Sequence, residues 1–559
     1  MSRIQRGVAL AALMLLALAL ALPGAGERGV TAEEVQPYLQ RYPYAVGVRQ
    51  GRIEALPPYE AAGAPPPRWV STSQWPVVAY NGESRQWPLF IRGHQTALGS
   101  YWGILLGPWL GGGIAGIQRS NILLSLTLVW LTYALTRRTR SLTHRSEGWQ
   151  LLPPLLVALS FGLLFFGRTG YGFELASRVA LMATLVAAAT PGPWTALRAS
   201  GVGLLAALAV LCRATIAIPL APALWLLLRH QFPLQRGWLR WLPFAVMALV
   251  PPLVVTLLAA LAPFHAGAGP LAGFPVAALP SRLLSFPGHL WVQMAWLGDA
   301  QSILGPLRRG GSLAGPLAVG VALAAAPVAA AAWRWRRGSA GLGEQMLVAG
   351  LVANAAGGAL LYGDPMQFQL GMALEPLFAL AVADQVAALP TVRLRLAAVA
   401  LALVARGQGL AYGLWLDHHG ANPMFSARAQ KAAVELLQRL GAKGPDVLTT
   451  TYNHVGVLEA WSDGNLRPIH AWETLRPGAL RPGDSTLPAM RELLRRYQPR
   501  YVLLTDGANL YEGPFAENAT LAQALREAVR LEDATLETEW PLPTESGAKG
   551  WRIVALTYR

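Results

Sequence analysis

Residues 198–229 have the sequence RASGVGLLAALAVLCRATIAIPLAPALWLLLR, in which one arginine, Arg213, separates two short apolar runs. Each run, 201–212 and 214–228, is shorter than the roughly 20 residues that usually cross a bilayer. One long kinked helix is therefore the alternative to two helices. Because the stretch begins and ends with arginine, and arginine-rich loops stay in the cytoplasm, two spans fit better than one. Arg213 would then lie near the outer face.

The rest of the chain repeats this pattern of apolar runs with arginine between them. Its 559 residues are 53% apolar and only 14% charged, with a mean hydropathy of +0.35. Soluble domains carry about 25% charged residues, so one large soluble protein is excluded. We predict a polytopic α-helical membrane protein with about eleven transmembrane helices. The predicted spans are 8–22, 114–136, 150–167, 173–190, 201–212, 214–228, 242–262, 313–333, 344–362, 366–388 and 396–416.

The charges divide between the two ends of these spans. The loop 23–113 is close to neutral, with seven arginines and six glutamates, and the tail 417–559 carries 16 basic and 17 acidic residues. The alternate segments hold fifteen arginines and one acid, Glu147; they are 1–7, 137–149, 191–200, 229–241, 334–343 and 389–395. The positive-inside rule therefore predicts a cytoplasmic N-terminus and an extracytoplasmic tail. The net charge of +16 is a topology signal, and no nucleic-acid partner is expected.

Residues 1–26 also resemble a secretory signal, with Arg3 and Arg6 before the apolar core. No A-x-A cleavage site follows that core, so we expect the segment to be retained; cleavage would leave the other ten spans with the same tail orientation. The alanine-rich composition and the use of arginine over lysine suggest a bacterium with a high-GC genome. The expected location is then the inner membrane, with the tail in the periplasm.

The chain divides into a transmembrane region, 1–416, and a soluble tail, 417–559. Within the outer loop 23–113, segment 95–112 is apolar and aromatic but broken by glycines, which predicts a helix at the membrane interface. A twelfth span is the alternative, but it would invert every later loop. Alternating helices and strands in the tail predict a small α/β domain. These elements are helices 426–440, 485–497 and 517–530, strands 446–451 and 500–505, and two terminal strands.

The first candidate for chemistry is an acidic pair, Glu33 and Glu34, just after the first span. Two carboxylates near the membrane surface can serve as a general base or as ligands of a hard divalent cation. The structural alternative is a helix start, since Thr31 and Glu34 have the spacing of a capping box. Cys212 is the single cysteine, which excludes a disulfide framework and a cysteine-based metal site. No Gly-rich phosphate loop and no HExxH helix occurs either.

The order of motifs along the first 230 residues resembles a known family. After the acidic pair come a loop with His94, the turn Leu106-Gly107-Pro108-Trp109, Arg119 at the start of the second span, and a glycine-led helix that ends at Arg213. This order resembles the membrane-embedded glycosyltransferases of the GT-C class, above all the protein O-mannosyltransferase and lipid A aminoarabinose transferase branch (family 39 and 83 type). The likeness extends more weakly to residue 416. That branch usually has Asp where this chain has Glu33.

The resemblance implies transfer of a sugar from a polyprenyl-phosphate donor to an acceptor (a protein, lipid or glycan) on the outer face. A carboxylate would deprotonate the acceptor hydroxyl while cations neutralise the departing phosphate. By motif position Glu33 is the base, and Glu34 assists it or caps the helix. Glu174, in the next outer loop, would help to position an acceptor or a divalent cation, Mg²⁺ or Mn²⁺. It also stands four residues before Arg178, the spacing of a helical ion pair.

Four side chains are candidates for substrate binding: His94, Arg119, Arg178 and Arg213. A guanidinium can bind a lipid phosphate bidentately, and Arg213 at the tip of the short helices suits that role. Snorkelling of Arg213 to the interface is the alternative. His94 would contact the acceptor or the phosphate.

Two other functions stay open on sequence grounds. Glu375 and Arg406 lie deeper, in adjacent predicted helices, and would pair with each other or line the path of a lipid or sugar-lipid transporter or flippase. A catalytically degenerate membrane scaffold is the remaining alternative, because Glu33 replaces the usual Asp.

Overall fold

The computed structural model describes the chain in segments with gaps between them. The described residues are 3–26, 29, 90–92, 95–96, 98–143, 149–168, 172–232, 238–261, 279–298, 314–362, 371, 373–418, 426–449, 457–462, 466, 468–471, 486–505, 516–532, 534–543 and 551–558. Of the predicted site residues, Glu33, Glu34 and His94 lie outside them.

Helices make up most of the described residues before residue 419. They are α1 Arg3–Ala21, α2 Tyr101–Leu106, α3 Gly113–Thr143, α4 Leu152–Ala158, α5 Phe161–Gly167, α6 Gly172–Ala189, α7 Ala196–Cys212, α8 Ala217–Gln231, α9 Leu242–Leu261, α10 Leu279–Leu284, α11 Phe286–Leu297, α12 Ala314–Arg336, α13 Leu342–Tyr362, α14 Glu375–Ala388 and α15 Val392–His418.

Each predicted span overlaps one of these helices. Within the described residues, five helices contain a stretch long and apolar enough to cross a membrane: Ile4–Ala21, Ile114–Thr139, Leu239–Leu257, Leu342–Leu361 and Val392–Ala411. The prediction of one helix over 150–167 was wrong, because the segment breaks between α4 and α5. At the break, Ser160 Oγ accepts from the Leu163 backbone N–H and so begins the second helix. The sequence predicted no element over α10 and α11.

The pair α7 and α8 is a hairpin of two helices, as the arginines at its flanks predicted. Arg213 between them has extended backbone, with φ −159° and ψ 114°. The opposite ends of the pair meet at Thr190, the residue after α6: Arg198 donates to the Thr190 carbonyl oxygen, and Gln231 Nε2 donates to the same oxygen at 2.7 Å. Arg138 of α3 donates to the Thr190 hydroxyl. The predicted cytoplasmic ends of four helices therefore lie together.

The large apolar core lies between α3, α6, α7, α8, α13 and α14. By contrast, α9 buries no residue of its apolar window, and it exposes Leu249, Leu253 and Leu257. An all-round apolar helix with a bare outer face suits a lipid environment and would be a liability in water.

A short antiparallel pair, β1 Phe90–Arg92 and β2 Gln95–Thr96, precedes α2. The strands of the tail are β3 Val447–Thr449, β4 Ile469–His470, β5 Tyr501–Thr505, β6 Ala534–Leu542 and β7 Trp551–Tyr558. They form a five-stranded mixed sheet with strand order β4-β3-β5-β7-β6. Strands β3, β4 and β5 pair in parallel, and β7 pairs antiparallel with β5 and β6. The predicted α/β alternation is therefore present, although the domain boundary at 417 stays a prediction. Ile114 of α3 packs in one of the tail's apolar clusters. The helices of the tail are Ala427–Arg439, Val457–Trp461, Thr486–Tyr497 and Ala516–Leu531.

Candidate functional site

Arg168 joins the end of the first helix to the segment that leads into α6. Its Nε donates to the Ala21 carbonyl oxygen at 3.2 Å, and its Nη2 donates to that of Leu20. The side chain is buried. Carbonyls at a helix C-terminus lack partners within the helix and carry partial negative charge, so a guanidinium stabilises them. The end of α1, which precedes the acidic pair in the sequence, therefore lies close to the end of α5, which precedes Glu174.

Glu174, in the first turn of α6, binds two arginines. Arg178 Nη2 donates to Glu174 Oε2 at 3.0 Å, which is the predicted helical pair, and Arg213 Nη1 forms an ion pair with Oε1. Arg213 reaches this carboxylate because it lies at the tip of the α7–α8 hairpin, beside the start of α6. The Glu174 and Arg178 side chains are 3% exposed, whereas that of Arg213 is 14% exposed. Arg213 is thus the member of this trio that a ligand reaches first.

A second buried carboxylate, Glu375, begins α14. Ser160 Oγ, at the break between α4 and α5, donates to Glu375 Oε2 at 2.5 Å. Trp296 Nε1, at the end of α11, donates to Glu375 Oε1 at 2.9 Å. Gly162 permits this close packing, since a β-carbon there would lie 2.5 Å from the Trp296 ring and 2.7 Å from Oε1. Three helices therefore converge on one carboxylate.

The two carboxylates share Arg178. Its charge acts on Glu375 as well as on Glu174, and Arg406 of α15 acts on Glu375 from another side. The Arg406 guanidinium also lies over the Phe378 ring, 5.5 Å from the centroid. Arg406 therefore acts electrostatically on Glu375, and a direct ion pair between them stays a prediction. We call these five side chains, Arg213, Glu174, Arg178, Glu375 and Arg406, the charge network.

The charge network alternates in sign and contains one more guanidinium than carboxylate. Buried ions are expensive unless they are paired and hydrogen-bonded, which explains why each carboxylate here has at least two partners. Arg213, at one end of the network, is its most exposed member. Such an arrangement can accept one anionic group, and a phosphate offers the oxygen geometry that a guanidinium binds best.

Arg119, the third of the predicted binding residues within the described part, lies outside the charge network. Its Nη1 donates to the Leu110 carbonyl oxygen at 2.9 Å, and the side chain is exposed. The same interfacial segment is held to α3 by Trp102 Nε1, which donates to the Ser120 carbonyl oxygen at 3.0 Å. In this structure Arg119 therefore fixes the turn before α3.

Sequence reasoning missed Ser160 and Trp296. Ser160 gave no signal beyond an isolated polar residue in an apolar run, and Trp296 lies in a segment where no element was predicted. Among the described residues, no group of three or more His, Cys, Asp or Glu side chains comes together as a metal site. The acidic pair predicted to hold Mg²⁺ or Mn²⁺ is not among those residues.

No family model matches the chain, and no curated protein matches it in sequence. Two solved structures align with nearly all of it. ArnT from Cupriavidus metallidurans, in a structure bound to undecaprenyl phosphate, aligns at 10% identity over 99% of this chain and 98% of its own, with a TM-score of 0.45. The arabinofuranosyltransferase AftD from Mycobacteria aligns at 14% identity over 100% of this chain, which spans 40% of AftD, also with a TM-score of 0.45.

Both structures belong to the GT-C class, the class that the motif order in the sequence resembles. At this TM-score, neither likeness indicates what the present chain binds or does.

Proposed function

We propose that this chain is an integral membrane glycosyltransferase that transfers a sugar from a polyprenyl-phosphate donor to an acceptor on the outer face. The observation that supports this most strongly is the charge network, which extends from the tip of the α7–α8 hairpin to Glu375. Ionisable side chains inside a membrane protein are costly and usually mark the path or site of a charged ligand. The surplus guanidinium favours an anionic one.

Arg213 is the residue we assign to the lipid phosphate. Its partner Glu174 keeps a second guanidinium, Arg178, at 3.0 Å. A phosphate can therefore take over Arg213 without leaving Glu174 as an uncompensated buried charge. The polyprenyl tail needs an apolar surround, which explains why the binding arginine belongs to a membrane-embedded hairpin.

The carboxylate that takes the acceptor's proton is, in this proposal, Glu33. Glu174 is poorly suited to be that base because both of its oxygens already contact guanidinium groups. The acceptor O–H proton passes to Glu33, and the acceptor oxygen bonds to the anomeric carbon. The bond from that carbon to the phosphate oxygen breaks, and its electron pair stays on the polyprenyl phosphate, where Arg213 stabilises the added charge. Glu174 positions Arg213, and Glu34 either assists Glu33 or caps the helix that Thr31 begins.

A divalent cation, Mg²⁺ or Mn²⁺, is part of the proposal for the acidic pair. Carboxylate oxygens are the ligands that these hard cations prefer. Transfer measured with EDTA, and again after Mg²⁺ or Mn²⁺ is restored, tests this requirement.

The proposed topology has eleven spans, a cytoplasmic N-terminus and a periplasmic tail in the bacterial inner membrane. It is supported by the meeting of Arg138, Arg198 and Gln231 at Thr190, which gathers the arginine-rich loops at one end. The charge network lies at the opposite ends of α6, α7 and α8. The packing of Ile114 against the tail fits a tail on that same side.

The experiment that tests the function is sugar transfer in liposomes with a panel of labelled polyprenyl-phosphate sugars. We expect label to leave the carrier with the wild type and to stay on it with Glu33→Gln. Glu60→Gln, an acid of the same loop outside the pair, is the matched control and should transfer normally. Loss in both variants, or transfer that survives in Glu33→Gln, would remove the base role from Glu33. No transfer from any carrier by folded wild type would overturn the proposal.

A lipid or sugar-lipid transporter is the second candidate. One observation favours it: Glu375 and Arg406 are ionisable but only 3% and 4% exposed, and Arg406 lies near the middle of α15. A transporter would move a labelled lipid across vesicles without breaking its sugar–phosphate bond. Recovery of intact donor from the opposite leaflet distinguishes the two functions.

A further inference from the structure

Helix α11 runs inward from the outer end of α13 to the charge network. Just before it, Arg282 Nη1 donates to the Leu360 carbonyl oxygen, near the end of α13, at 2.7 Å. At its other end Trp296 binds Glu375, whose neighbour Leu374 packs against Gly350 of α13. The two helices are thus antiparallel, and α11 ends deep in the bundle.

One face of α11 is polar and buried. His289, Gln293 and Trp296 follow one another at spacings of four and three residues, so they share a face. His289 packs on Gly358 of α13, where a β-carbon would lie 2.7 Å from Nδ1. Because the two helices are antiparallel, the contact of His289 with Gly358 implies that Gln293, one turn further along α11, faces the turn of α13 that carries Asn354. His289, Gln293 and Asn354 are each 1% exposed. We call His289, Gln293 and Trp296 the α11 polar face.

The Gln293 amide is the group on this face that points to a ligand. Neither Nε2 nor Oε1 has a hydrogen-bond partner among the described residues, and the side chain is almost completely buried. A buried amide without hydrogen-bond partners destabilises the folded state, because it has lost its bonds to water. Leucine would fill the same volume without that cost, so folding alone does not explain the glutamine.

We propose that the α11 polar face is the subsite for the sugar ring of the donor, with Gln293 hydrogen-bonding to its hydroxyl groups. A primary amide offers one acceptor and two donors, which suits neighbouring hydroxyls that each donate and accept. The inner end of this face carries Trp296 and the Glu375 carboxylate to which Trp296 Nε1 donates. Through Arg178 the same carboxylate is linked to the proposed phosphate site at Arg213. This subsite rests on the proposed function.

The test compares wild type with Gln293→Leu for binding of two probes in detergent: polyprenyl phosphate alone and the same lipid carrying a hexose or a pentose. We expect Gln293→Leu to bind the sugar-bearing lipid roughly tenfold or more weakly, as the loss of buried hydrogen bonds implies. Its affinity for polyprenyl phosphate should not change. Its melting temperature should hold or rise, because an unpaired amide has been removed.

The matched control is Gln150→Leu. Gln150 is also buried with an unpartnered amide oxygen among the described residues, but it precedes α4 at the arginine-rich end. It should leave binding of both lipids unchanged. If Gln293→Leu lowers the melting temperature and binds both lipids as the wild type does, Gln293 is structural or holds only water, and the subsite is refuted. If the wild type binds neither lipid, the proposed function fails as well.

Discussion

Replacement of Arg213 by glutamine should weaken donor binding strongly while it leaves the fold intact. A charge-assisted hydrogen bond contributes about 1.5–3 kcal/mol, so the donor KM should rise about 10- to 150-fold. The fold should tolerate the change because Glu174 keeps Arg178 at 3.0 Å, and Arg213 is the most exposed member of the trio. The loss of stability should therefore stay below the roughly 3–5 kcal/mol that follows when a buried charge loses its only partner.

The assay is initial-rate transfer in liposomes over a range of donor concentrations, with thermal unfolding measured on the same preparations. Arg213→Lys should recover part of the affinity, because lysine keeps the charge but lacks the planar fork of the guanidinium. Arg119→Gln is the control, since Arg119 binds a backbone carbonyl outside the charge network. A large fall in melting temperature with an unchanged donor KM would refute the assignment, because Arg213 would then serve only to pair with Glu174.

The other predictions concern Glu375 and the tail. Glu375→Gln should lower the melting temperature far more than Glu344→Gln, because it removes the negative charge that acts on Arg406, a cation only 4% exposed. Arg178 keeps Glu174, and Arg334, the partner of Glu344, is 25% exposed and can be solvated. Equal shifts would contradict the network. In the tail, hydrogen bonds from Arg495 and Arg491 hold the pKa of Glu532 below its ordinary 4.5. The stability from this depressed pKa is present above pH 4.5 and is lost as pH falls through the folded value. Acid unfolding curves of wild type and Glu532→Gln should therefore converge below that pH, and parallel curves would contradict the pairing.

Local signals predicted much of the fold. Hydropathy located most of the described helices, although it missed α10 and α11 and joined α4 and α5 into one. The arginines at both flanks of 198–229 predicted the α7–α8 hairpin. The spacing of Glu174 and Arg178 predicted their ion pair. These features depend on residues close together in sequence. For such residues, helix periodicity and the cost of burying charge determine the local structure.

The tertiary structure alone decided how the site is assembled. Glu375 meets Ser160 and Trp296 across 215 and 79 residues of sequence, and neither partner has a distinctive local pattern. Their meeting depends on the break before α5, on the inward course of α11, and on the rotation of each helix about its axis. An apolar sequence leaves that rotation open, because almost any face of such a helix can contact lipid. Only the packing of the whole bundle determines which polar side chains turn inward and meet.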